Sequence, residues 1–253
     1  MNLSFQLYSS RNVSSQTAFL SDLAAAGYTQ VEGFGGVYED ATGFRAALDA
    51  AGLSMPSGHF GLDMLEGDFD ACMRLASTLG IDLVVAPYLA EDERPTDVDG
   101  YKVLARRLST ILSQVHDAGF GFAWHNHDFE LTPLPDGSIP LEILFNDVPN
   151  MGWEADLAWV ARGGADPRDW VNRYGNRIAA VHIKDIAPEG QNRDQDGWSN
   201  VGEGIMDWST LLPLVLDKTH HPFLVVEHDN PADVTHFARA ARNTIASIVG
   251  DAL

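Results

Sequence analysis

The sequence predicts a single (β/α)8 TIM barrel over residues 1–253, on three observations. Strand-sized apolar stretches alternate with helical ones eight times, and strict alternation demands a parallel sheet. Eight units in 253 residues match a closed barrel better than an open doubly wound sheet. No Gly-x-Gly-x-x-Gly follows the first strand, and no linker or low-complexity tract marks a second domain.

Leu3 to Ser9 reads as the first strand, and Ser14 or Ser15 caps a helix through Ala18, Leu20, Leu23 and Ala24 that stops at Gly27. Tyr28 to Phe34 is a strand, Phe44 to Ala51 a helix ending at Gly52, Leu53 to Phe60 a strand, and Phe69 to Leu79 a helix ending at Gly80. Ile81 to Tyr88 is the fourth strand. A long helix from Asp97 to Ala118 stops at Gly119, before a fifth strand from Phe120 to His127. A loop with Pro133, Pro135, Asp136 and Gly137 leads to a helix from Leu141 and a strand from Met151 to Asp156. A helix from Asp166 to Tyr174 ends at Gly175, and Ile178 to Asp185 is the seventh strand. After a loop of about twenty residues come a helix at Trp208 to Leu216, a strand at Phe223 to His228 and a last helix through Phe237 and Ile248. The glycines at 27, 52, 80, 119 and 175 fit left-handed caps after helices.

Thirty-six acidic residues against 16 basic ones give a net charge of −20 with no Lys/Arg-rich run, which excludes nucleic acid and anionic membrane as partners. No signal peptide or membrane span is read, and the single cysteine, Cys72, forms no intrachain disulfide, so the cytoplasm is the expected compartment.

The most polar stretch is Trp124-His125-Asn126-His127-Asp128-Phe129-Glu130, which ends an apolar segment where such groups need partners. In a barrel of this type, functional groups sit at the carboxyl ends of the strands. Glu32, His59, His125, His127, Glu130, Asp156, His182, Lys184 and the run Glu227 to Asp229 all fall there. His125 and His127 leave one face of a strand, as do His182 and Lys184. With those faces in the barrel mouth, Glu130, Asp156, His182 and Glu227 meet around one divalent ion. Three carboxylates and one imidazole suit manganese or magnesium, with zinc or cobalt also accommodated.

Several motifs resemble the xylose isomerase-like barrels, in the branch of sugar phosphate isomerases and epimerases that includes ketose 3-epimerase-like and inosose dehydratase-like proteins. They are His125-Asn126-His127-Asp128-Phe129-Glu130, Trp153-Glu154-Ala155-Asp156 with Trp159, His182-Ile183-Lys184-Asp185, Gly202-Glu203-Gly204 with Asp207-Trp208, and Val226-Glu227-His228-Asp229. The resemblance covers almost the whole chain. It implies Glu130, Asp156, His182 and Glu227 as metal ligands, Glu130 and Glu227 as the acid/base pair, and a homodimer or homotetramer.

The expected reaction is proton abstraction from a keto-sugar or related polyol through an enediolate, giving isomerisation or epimerisation. Glu32, His59, His125, His127 and Lys184 are candidates for contacts with substrate, with Asp185 and Glu203 as supports behind them. Glu32 is read equally as a cap for a backbone amide. Trp159 and Trp198 offer an apolar wall for a sugar ring, while His116, His220, His221 and His236 read as surface residues. With only Lys184 and Arg193 as basic groups near the mouth, a phosphorylated substrate is not expected.

The alternative is a lyase, of the inosose dehydratase kind or one that cleaves 3-keto-glycosides by β-elimination. An apurinic-site endonuclease is disfavoured by the charge, by Trp159 where those enzymes resemble one another in a histidine, and by Asp196-Gly197-Trp198 where they carry Asp-Arg-His. A non-catalytic sugar-binding protein is the remaining reading.

Overall fold

The first seven strands in the computed structural model, which describes residues 2–219 and 222–250, are β1 (Leu3–Gln6), β2 (Gln30–Gly33), β3 (Ser54–His59), β4 (Leu83–Ala86), β5 (Gly121–His125), β6 (Gly152–Asp156) and β7 (Ile178–Ile183). A short antiparallel pair, β8 (Asp185–Ile186) and β9 (Trp198–Ser199), precedes β10 (Phe223–Val226). The parallel strands close a barrel in the order β1-β10-β7-β6-β5-β4-β3-β2. This is the predicted (β/α)8 architecture.

Helices α1 (Gln16–Ala26), α2 (Ala41–Ala51), α3 (Leu62–Gly67), α4 (Phe69–Leu79), α5 (Val98–Asp117), α6 (Pro140–Asp147), α7 (Leu157–Arg162), α8 (Pro167–Tyr174), α9 (Trp208–Lys218) and α10 (Val234–Val249) surround it. Side-chain oxygens of Ser15, Asp40, Asp68, Asp97 and Asp233 each accept the backbone N–H three residues on, which gives these helices defined starts. Helices α3 and α7 escape sequence reading because six residues do not show a helical period.

Gly27, Gly52, Gly80 and Gly119 have positive φ, as a left-handed stop requires. Gly175 does not. Its φ is −56°, and the chain continues through a 3-10 turn over Gly175–Arg177. Glycine is needed there for close approach, since a Cβ would stand 2.5 Å from the Cβ of Lys218.

The strands end earlier than their apolar patterns. The first stops at Gln6 and turns through a 3-10 segment at Leu7–Ser10, and the fifth stops at His125 rather than His127. Lys184 separates β7 from β8, where the predicted seventh strand ran on to Asp185.

Outward strand residues such as Phe5, Val31, Trp124, Trp153 and Val181 join the helices in one continuous core. The barrel lumen holds a separate small plug of Leu83, Val85, Ala123, Ala180 and Val225. Because side chains alternate across a strand, the next inward residues along the same strands form the layer above the plug. That layer contains His125, His182 and Glu227, with Glu154 and Asp156 from β6.

His116 and His236 are exposed, as read, while His220 and His221 lie outside the described residues. Among the described residues no helix is long and apolar enough to cross a membrane.

Candidate metal centre and substrate cavity

At the carboxyl end of the barrel, Gln6, Glu32, Ser57, His59, His125, Glu154, Asp156, His182, Lys184 and Glu227 form one polar layer, and all but His59 are buried. Two groups of four side chains within it could each hold an ion, with ligating atoms within 4.8 Å of one another. One is His125, Asp156, His182 and Glu227. The other is His59, His125, Glu154 and His182.

The first group fits a divalent ion on the chemistry of its atoms. Among the described residues Asp156 Oδ2, His125 Nδ1 and Glu154 Oε1 are buried without a hydrogen bond, and the nearest charged atoms to the first two are Lys184 Nζ at 3.6 Å and Glu154 Oε2 at 3.1 Å, so this carboxylate-rich layer has room for a further cation. Burial, with the neighbouring Glu227 charge, raises Asp156 to about 6. Two imidazoles and two carboxylates are a donor set for zinc, manganese or cobalt more than for magnesium.

Three of the four expected ligands, Asp156, His182 and Glu227, are brought together here. Glu130 is not. Its Oε1 accepts Trp124 Nε1–H at 3.0 Å and its Oε2 accepts His127 N–H at 2.8 Å, and Trp124 faces the helix layer. The carboxyl of Glu130 is therefore outside the barrel wall, where burial pushes it up to about 8. The strand ends five residues earlier than Glu130, so its inward position belongs to His125.

His182 bridges the layer. Its Nδ1 is 2.9 Å from Glu227 Oε2 and its Nε2 is 2.7 Å from Glu32 Oε1. Burial works against its charged form, but Glu154, Glu227 and Glu32 outweigh that and raise its pKa well above the usual histidine range. Against its own burial, His59 is raised to about 10 by Glu154 and Glu32, with Nε2 2.6 Å from Glu154 Oε2. Glu154 is raised to about 7 by burial and by the charge of Glu32. His125 and His127 are lowered instead, His127 to about 3, because burial and nearby cations disfavour their charged forms.

Lys184 is fully buried, with Nζ 2.7 Å from Asp229 Oδ1, 3.1 Å from Glu227 Oε2 and 3.6 Å from Asp156 Oδ2. It lies over the rings of Trp198 and Trp159, at 4.2 and 5.0 Å. It stands as counter-cation to Asp229, Glu227 and Asp156. Glu32 is likewise enclosed, between Gln6, Ser57, His59 and His182.

Asp185 holds the following loop, accepting N–H groups from Ile186, Gly202 and Met206 at 2.8 to 2.9 Å. A Cβ on Gly204 would strike the Asp185 carboxylate and the Ile186 carbonyl, which explains the Gly202-Glu203-Gly204 run. Glu203 is exposed and bonded to Asn200, so it does not support the centre as expected.

Above the layer opens a cavity of about 650 Å3 lined by Tyr8, Phe34, Tyr88, Trp159 and Arg94, with His59, His125, His127 and Glu227 toward its floor. Trp159 lines it as expected, whereas Trp198 is buried behind Trp159 at 4.7 Å. Arg193, expected near the mouth, is exposed and does not line it. Arg11 and Arg94, both missed in the sequence, do.

Two further residues escaped sequence reading. Glu154 shares the inward face of β6 with Asp156, and the period-2 rule used for the histidines points to it. Asn126 clips β5 to β6. Its Oδ1 accepts Trp153 Nε1–H at 2.7 Å and Asp156 N–H at 3.1 Å, while its Nδ2 donates to the Asp156 carbonyl at 3.1 Å.

The model of the family described as xylose isomerase-like TIM barrel matches residues 20–247. A rhizopine catabolism protein, MocC, of Rhizobium meliloti is 24% identical over 92% of this chain and 81% of its own length. An inosose dehydratase of Clostridium beijerinckii is 20% identical over 91% and 89%. Among solved structures, a sugar phosphate isomerase/epimerase from Parabacteroides distasonis superposes with a TM-score of 0.81 at 20% identity, covering 98% of this chain and 94% of that one. The IolI protein, solved with a bound zinc atom, gives 0.79 at 17% identity, covering 98% of both. With the family model matched over most of its length and the closed barrel in place, the chain belongs to the xylose isomerase-like TIM barrel family.

Proposed function

We propose that this protein is a divalent-metal-dependent isomerase or epimerase of a keto-sugar or related polyol, acting by removal of a proton next to a carbonyl. The observation that carries the reading is the convergence of His125, Asp156, His182 and Glu227, whose ligating atoms lie within 4.8 Å of one another beside the cavity. The zinc described in the IolI structure supports a metal of this class. When bound, the ion would supply a Lewis acid to a carbonyl and its neighbouring hydroxyl.

Glu227 lines the cavity and is kept ionised, against its burial, by Lys184 and His182, so it is the group that accepts the α-proton. His59 also lines the cavity, on β3, three strands round from β10, and carries a proton held by Glu154 and Glu32. It takes over the role expected of Glu130 as the second acid/base. Delivery to the opposite face of the same carbon is epimerisation, and delivery to the adjacent carbon, with transfer of the hydroxyl proton, is isomerisation. The aromatic wall of Tyr8, Phe34, Tyr88 and Trp159 gives the cavity an apolar side against which a sugar ring can pack.

The relative described as inosose dehydratase favours a second reading, in which the same proton leaves and a β-hydroxyl departs as water. Metal-loaded protein incubated with ketohexoses and keto-inositols in deuterated water, followed by NMR, separates the two. Deuterium entering without loss of substrate supports the isomerase or epimerase. An enone product supports the lyase, and no exchange from any sugar that binds would leave a sugar-binding protein.

A further inference from the structure

The two nitrogens of His182 face opposite ways within the polar layer. Nδ1 lies 2.9 Å from Glu227 Oε2 and 3.9 Å from Asp156 Oδ2, on the side of the proposed ion, while Nε2 lies 2.7 Å from Glu32 Oε1, the nearer of two carboxylates there, with Glu154 Oε2 at 3.3 Å. A neutral imidazole has one lone pair for a metal and one N–H for a partner, and the partner of the second nitrogen decides which is which. Glu32 is built to be that partner. Gln6 Nε2–H donates to Glu32 Oε1 at 2.9 Å and Ser57 Oγ–H donates to Oε2 at 2.5 Å. Gln6 cannot turn its amide over, because its own Oε1 accepts Tyr8 N–H at 2.9 Å. Side chains from β1, β2 and β3 thus hold one carboxylate rigidly against a histidine of β7, across the barrel lumen.

We infer that Glu32 is a positioning residue for the metal centre, holding the proton of His182 on Nε2 so that Nδ1, on the side of Asp156 and Glu227, is the nitrogen that would give up its proton to an ion. This assigns Glu32 neither to substrate nor to a backbone cap. It rests on the metal-dependent reading above, and it adds that the β1–β3 side of the barrel, which supplies no ligand to that group, sets how tightly the ion is held. Gln6 and Ser57 act through Glu32, one step further from the ion.

The test uses metal-free full-length protein and Zn2+ as the probe. Affinity is measured by calorimetry for wild type, Glu32→Gln, Glu32→Met and Ser57→Ala, with folding checked by circular dichroism. The His182 tautomer is read from 15N shifts of the zinc-loaded protein. Zinc on Nδ1 with a protonated Nε2 is expected in wild type. Affinity should weaken 10- to 100-fold in Glu32→Met, less in Glu32→Gln, which keeps an acceptor oxygen, and measurably in Ser57→Ala. Folded Glu32→Met with wild-type affinity, or zinc on Nε2 in wild type, would overturn the inference. If Glu32→Met does not fold, unchanged affinity in both Glu32→Gln and Ser57→Ala overturns it. Wild type that binds no zinc at all removes the metal-dependent reading itself, and the inference with it. Zinc bound through Nδ1 with no response to Glu32 removes the inference alone.

Discussion

Trp124 and Glu130 are joined by a 3.0 Å hydrogen bond outside the barrel wall, and that bond takes the carboxylate of the HNHDFE stretch away from the site. The barrel mouth receives His125 instead.

Glu130→Gln is therefore expected to keep activity, where Glu227→Gln and His59→Gln lose at least a hundredfold of any solvent-proton exchange. Its effect is on stability. The carboxyl has an ordinary value of 4.5 and is pushed up to about 8 by burial in the folded protein. Between those values the unfolded chain has released a proton that the folded chain retains, so stability falls as pH rises from about 4.5 to about 8 and levels above that. The variant leaves one buried donor poorly matched and should be about 1 kcal/mol less stable at pH 5, with the gap closing or reversing by pH 9. Urea titrations at both values measure this, and equal gaps at the two would contradict it.

Occupation of the centre should raise the melting temperature. An ion at one hundred times its Kd contributes about 2.7 kcal/mol, or roughly 5–10 °C for a chain of this size. Asp156→Asn removes one carboxylate from the group and should abolish the shift, while the metal-free variant still folds. Scanning calorimetry with and without zinc is the measurement.

Lys184→Met should be among the most damaging substitutions in the barrel. It strips the cation from Asp229, Glu227 and Asp156 together, and breaking a buried ion pair from one side costs about 3–5 kcal/mol. Because Lys184 stands behind the cavity-lining residues, low-temperature kinetics should show a fall in kcat with little change in KM. A large rise in KM with kcat preserved would put the ammonium on substrate instead.

Asn126→Ala breaks the clip between β5 and β6 and leaves the buried Trp153 indole N–H without an acceptor, a loss of about 1–3 kcal/mol. It also frees the backbone of Asp156, so zinc affinity should fall alongside stability. A stability loss with unchanged zinc affinity would show that Asp156 is held by other contacts.

What the sequence determined by itself is the architecture and the ring of strand ends that carry chemistry. Eight repeats of strand and helix, with capping residues such as Ser15 and Asp97 and stops such as Gly27 and Gly119, are local signals, and each element answers to its own neighbours in the chain. A place at the carboxyl end of a strand is a local signal too, which is why Asp156, His182 and Glu227 were legible. Where a strand stops, and therefore on which side of the wall a later residue falls, is decided by packing between elements distant in sequence. Glu130 looked inward until the fold seated Trp124 in the helix layer and gave its indole N–H to that carboxylate. The polarity of His182 is likewise a tertiary matter. Glu32 lies 150 residues away from it, and only closure of the barrel puts the two in contact.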